Sequence, residues 1–95
     1  MITNLNQLTR KENVRLRRVE NTFYIVCGKD CYETNETGAL IVNAIGKDLS
    51  IDSVCEKLSD MYSYNDMEAI KTDVNEFVDF IMANNIAAEA ASESF

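Results

Sequence analysis

Three cysteines, Cys27, Cys31 and Cys55, are the only thiols in a chain without a single histidine. The Cys27-x3-Cys31 spacing resembles half of a metal site. Zinc needs four ligands, so with no His and no fourth thiolate, carboxylates would have to complete the tetrahedron. An odd cysteine count does not fit a secreted disulfide framework. The thiols read instead as small, partly buried apolar side chains in a reducing compartment. The absence of His also removes the commonest general base and every His-dependent triad. Tyr62 and Tyr64, near Asp60 and Asp66, could suggest acid–base chemistry in a small enzyme. Tyr and Asp in a connection between helices usually serve as caps and surface. No catalytic residue, no metal and no cofactor is expected.

The remaining stretch with a chemical look is "CYETNETGALIVNAI", from Cys31 to Ile45. A strand leading through a polar turn into a helix is the layout of a phosphate loop. Such a loop needs several glycines, so that backbone N–H groups converge on the anion, and usually a Lys. Here there is one glycine, Gly38, no Lys, and a carboxylate at Glu36 that would repel phosphate. The junction reads as a helix start. Thr34 or Asn35 is the N-cap, accepting from a free backbone N–H, and Glu36 complements the positive end of the helix dipole. Gly38 is expected to let the first turn approach another backbone closely.

The elements that must carry this junction fit one small domain. The chain has 95 residues and is 46% hydrophobic, enough for a modest core. It has no apolar run long enough to span a membrane and no signal peptide, which predicts a cytoplasmic protein with no membrane partner. Net charge is −7. Residues 1–34 carry six Lys or Arg against four acids, and residues 35–95 carry three against twelve. The first part is mildly basic and the remainder strongly acidic, a poor start for nucleic-acid binding.

Residues 1–13 read as an irregular polar arm. "VRLRRV", residues 14–19, alternates, with Val14, Leu16 and Arg18 on one side and Arg15, Arg17 and Val19 on the other. Glu20-Asn21 makes a turn. "TFYIVC", residues 22–27, is β-branched and aromatic and predicts a central strand. Gly28-Lys29-Asp30 makes a second tight turn, and residues 31–34 form a short third strand. Consecutive hairpins predict an antiparallel meander whose first and third strands are edges.

A first helix follows the junction, with Leu40, Ile41, Ala44 and Ile45 on one face and Gly46 as its stop. Ser50 caps a second helix with Asp52 in its first turn and Ile51, Val54, Cys55, Leu58 and Met61 as its apolar face. Asn65 with Glu68 resembles a capping box for a third helix over residues 66–84, with Asn84-Asn85 supplying a left-handed cap. Residues 87–95 read as a frayed acidic tail, leaving 14–86 as the domain. Three strands followed by three helices predict an α+β, winged-helix-like fold. Such folds often bind DNA through the last helix. Here that helix carries Asp66, Glu68, Asp73, Glu76 and Asp79 against Lys71 alone, so phosphates would be repelled.

The third helix is apolar over an arc of roughly 200°, where packing on one core needs little more than about 100°. Ile70, Val74, Phe77 and Ile81 are the expected core stripe. Val78 and Met82, with Lys71 and Asn75, lie along one shoulder, and Phe80 lies on the other. Either the arm and tail cover both shoulders, or one shoulder lines a groove for a partner.

Four segments, "VRLRRVENTFYIV", "YETNETGALIVNAI", "LSIDSVCEKL" and "DVNEFVDFIMANNI", stand in an order and spacing that resemble the PqqD-like family, which matches the RiPP recognition element of ribosomally made, post-translationally modified peptide pathways. Tyr32 to Ile45 carries the strongest likeness. Thr34 stands where the family often has Leu. The resemblance implies a leader-peptide-binding accessory protein, not an enzyme. It would hold a precursor's leader segment and present the core to a modifying enzyme, often a radical S-adenosylmethionine enzyme. In that family the leader adds as a strand to the third strand, with its side chains in a groove against the third helix. Carried onto this chain, the peptide-binding residues are Lys29, Cys31, Tyr32, Glu33 and Thr34 with Lys71, Val74, Asn75 and Val78. Val78 is expected to accept an apolar side chain, and Lys71 and Lys29 a carboxylate, because leaders of this kind are commonly acidic. The other readings are a winged-helix DNA-binding regulator, a small enzyme, and a structural subunit of a larger enzyme.

Overall fold

The computed structural model describes residues 2–90. Its centre is a three-stranded antiparallel sheet of β2 (Val14–Val19), β3 (Thr22–Cys27) and β4 (Asp30–Thr34), in that spatial order. Three helices follow, α1 (Glu36–Ala44), α2 (Ile51–Tyr62) and α3 (Met67–Ala83). This is the α+β arrangement that the residue pattern predicts.

The alternation of β2 sorts its side chains as expected. Val14, Leu16, Ile25, Cys27 and Tyr32 join the core from the inner face of the sheet. The register places Arg15, Val26 and Cys31 in one row of the outer face, and Arg17, Tyr24 and Glu33 in the next. The β3–β4 turn has two residues, Gly28 and Lys29. Gly28 takes φ 60°, which only glycine adopts without strain, and this matches the right-handed twist of the hairpin. The β2–β3 turn has Glu20 at φ 57°, a strained position for a residue with a Cβ.

Asn35 is the cap of α1, its Oδ1 accepting from the Gly38 N–H at 2.9 Å. Ser50 caps α2, accepting from the Ser53 N–H at 3.0 Å. Its apolar face is Ile51, Val54, Cys55 and Leu58, but Met61 is exposed. Asp66, and not Asn65, caps α3, its carboxylate accepting from the Ala69 N–H at 3.1 Å. Both residues favour this role, and the one-residue offset is set by where the α2–α3 connection ends. The buried stripe of α3 is Ile70, Val74, Val78 and Ile81. Val78 takes the place expected of Phe77, which is only partly buried.

The ends of the chain differ most from expectation. The arm is not irregular. Leu5–Gln7 makes a 3-10 turn in which Asn4 and Gln7 form a reciprocal capping box. β1 (Leu8–Arg10) then pairs antiparallel with β5 (Ala87–Glu89) as a second sheet. Residues 87–89 are therefore strand and not frayed tail, while the tail expected at 91–95 lies outside the described residues. Leu5 and Leu8 are 0% and 1% exposed. The Gly46 N–H donates to the Leu5 carbonyl at 2.9 Å, and the Leu5 N–H to the Leu49 carbonyl at 2.8 Å. These segments are short and poor in β-branched residues. Only pairing between distant parts of the chain makes them strands.

Candidate functional site

β4 is an edge, hydrogen-bonded only to β3. Which of its backbone groups are free follows from the hairpin parity. The two-residue turn makes Cys27 and Asp30 a hydrogen-bonded pair, so Ile25–Tyr32 and Phe23–Thr34 are hydrogen-bonded too. The Gly28 N–H donates to the Asn13 carbonyl on the β2 side at 3.5 Å, which is consistent with this parity. The pairs Val26–Cys31 and Tyr24–Glu33 are the non-bonded ones. The N–H and C=O of Cys31 and Glu33 therefore point away from the sheet, giving two donors and two acceptors along an open edge.

The side chains of β4 divide the other way. Cys31 and Glu33 are exposed, while Tyr32 and Thr34 are partly buried toward the helices. Tyr32 meets Phe80 of α3 with ring centroids 5.6 Å apart at 90°. Phe80 in turn lies 6.0 Å from Phe77. Glu33, Thr34, Asn35, Phe77 and Phe80 line one open depression between the strand edge and the helix. Gly38 holds the base of this wall. A Cβ there would collide with Thr34 Oγ1 and would stand 2.8 Å from Phe77 Cε1. The close approach is thus to side chains and not to a backbone.

The structure brings Tyr32, Glu33 and Thr34 together with Phe77 and Phe80, while Cys31 lies on the outer face of the same strand. It does not bring them to Lys71, Asn75 and Val78. Val78 and Phe80 project about 160° apart on the helix, from 3.6 residues per turn. Val74 and Val78 are core, at 0% and 5% exposure. Asn75 and Val78 border a different depression, with Ile2, Met82 and Glu89. Lys71 pairs with Asp52 of α2 at 3.4 Å, and Lys29 sits exposed in the β3–β4 turn. The depression beside the strand edge is thus bordered by Phe77 and Phe80, and the Val78 shoulder borders another. The available signal was an exposed aromatic on the shoulder opposite Lys71.

Cys55 is buried, and burial first, with the Asp52 carboxylate second, raises its thiol pKa against a smaller lowering by Lys71. A thiol so held stays protonated and is a poor nucleophile. Among the described residues, no three His, Cys, Asp or Glu side chains converge as a metal site would require. No described helix is long and apolar enough to cross a membrane.

The family model of coenzyme PQQ synthesis protein D (PqqD) matches residues 19–87, well over half of the chain. The chain belongs to the PqqD family. The match begins at the end of β2 and reaches the first residue of β5, so it contains the whole β4–α3 wall. Members of the PqqD family are accessory proteins of peptide modification in PQQ and related biosynthesis. No curated protein and no solved structure matches the chain.

Proposed function

We propose that this PqqD-family protein holds the leader segment of a ribosomally made precursor peptide as an added strand on β4, and presents the core of that peptide to a modifying enzyme. A radical S-adenosylmethionine enzyme is the partner class that the family resemblance favours. One observation carries the reading: the outward N–H and C=O groups of Cys31 and Glu33 lie beside an aromatic wall of Tyr32, Phe77 and Phe80. An exposed strand edge is normally protected against pairing. Here β4 carries no Pro and no Lys. Added backbone hydrogen bonds give affinity, and alternate side chains of the ligand meet the wall.

Hydrogen exchange tests this with the precursor whose gene neighbours that of the protein and of a modifying enzyme. Its leader should slow exchange at the Cys31 and Glu33 amides. Exchange at Tyr32, already bonded within the sheet, should change little. Binding that protects α3 surface amides and leaves Cys31 and Glu33 unaltered contradicts strand addition. A DNA-binding role is opposed by the exposed carboxylates of α3, Glu68, Asp73, Glu76 and Asp79.

A further inference from the structure

The groove beside β4 does not end at the strand. Asn35 and Phe77, which border it, also border a second depression with Thr37, Asp73 and Glu76. Thr37 and Asp73 in turn border a third, walled by Leu58, Tyr62, Tyr64 and Ile70. The three form one path, from the strand edge over the N-terminus of α1 to the α2–α3 connection. The last hollow is about 160 Å³, close to the roughly 150 Å³ that accepts a benzene ring. Its two tyrosines are 48% and 50% exposed, although the Tyr64 carbonyl is held at 2.6 Å by the Ser59 hydroxyl.

The path has one sign of charge. Glu33, Asp73 and Glu76 line it, and no Lys or Arg does. The ion pair among the described residues is Lys71–Asp52, so these three carboxylates have no counter-charge there. A ligand that neutralises them gains, and an acidic one is repelled.

We propose that the peptide is read a second time beyond the strand: its bound segment carries a Lys or Arg for the Asp73–Glu76 stretch and, next to it, an apolar or aromatic side chain for the Tyr62–Tyr64 hollow. This rests on strand addition at β4, and it reverses the acidic-leader expectation that the family resemblance carried and that assigned a carboxylate to Lys71 and Lys29.

A display library of random dodecapeptides, sorted on the full chain and on its Glu33→Pro variant, separates the two levels. The sequences captured by the parent and lost with Glu33→Pro should be basic, with an apolar residue outside the alternating stretch. One such peptide should then lose about fivefold in affinity with Asp73→Asn/Glu76→Gln, as expected for two exposed pairs. It should lose a similar factor with Tyr62→Ser/Tyr64→Ser. In about 0.5 M salt, where the screening length falls to about 4 Å, the first loss should fade and the second persist. Acidic or neutral peptides that depend on Glu33 but ignore both double variants overturn this inference and leave strand addition standing. Peptides indifferent to Glu33→Pro, or no enrichment at all, overturn both.

Discussion

The Tyr32 ring, on the inner face of β4, meets the Phe80 ring of α3 edge to face, with centroids 5.6 Å apart. This contact ties the open strand edge to one shoulder of the last helix, and Phe80 is still 38% exposed. A side chain that is half-exposed in the free protein and sits beside an open edge can bind without being needed for folding.

Phe80→Ala should therefore leave the melting temperature within a few degrees of the parent while weakening leader binding about tenfold, the cost of an aromatic contact and its buried area. Val78→Asp should do the reverse. It places a carboxylate in the core, costs about 3 kcal/mol or more, and should lower the melting temperature by more than about 10 °C in a domain of this size. Lys71→Ala, remote from the edge and pairing with Asp52 in solvent, should change binding by less than about twofold. Calorimetry and a binding titration on the same three variants check all of this.

Gly38→Ala isolates the junction. In an ordinary helix this change gains about 1 kcal/mol. Here the added Cβ meets Thr34 Oγ1 and the Phe77 ring, and overpacking of this kind costs about 1–3 kcal/mol. The variant should be less stable than the parent by denaturant titration. A stabilised variant would show that the contact yields easily.

Much of this wall is legible in the chain. The alternation of Val14, Leu16 and Arg18 and the Gly28-Lys29 turn are local signals, as are the caps at Asn35 and Ser50, and each is satisfied within a few residues. The choice between the Val78 and Phe80 shoulders is different. A helical wheel ranks positions around α3, but which shoulder faces β4 depends on how the helix docks on the sheet, a relation between residues more than forty apart in the chain. The pairing of Thr9 with Ala88 is longer still. Neither segment has a β pattern of its own, so only the fold reveals it.

The buried Leu5 puts a number on that N-terminal pairing. Leu5→Ala should cost about 2–5 kcal/mol, as for a core leucine, and should destabilise the whole domain in a single cooperative transition. An irregular arm would tolerate the change with almost no loss.

Glu20, at φ 57°, holds a left-handed turn that costs a residue with a Cβ about 1–2 kcal/mol. Part of that gain is offset by the greater freedom of glycine in the unfolded chain. Glu20→Gly should then stabilise by about 0.5–1 kcal/mol with no effect on peptide binding, because the turn joins β2 to β3, across β3 from the open edge of β4, and Glu20 lines none of the depressions beside that edge. A destabilised variant would mean that the side chain makes a contact outweighing the strain.

Strand addition itself is tested most directly by affinity at Glu33. Its N–H points outward and takes no part in the sheet, so Glu33→Pro should keep the fold and remove one ligand hydrogen bond while crowding the edge. A leader titrated against the parent, Glu33→Ala and Glu33→Pro should bind the first two within about threefold and the third more than about tenfold more weakly. Equal affinity for the Pro variant and the parent, with the melting temperature unchanged, would contradict the edge of β4 as the binding site.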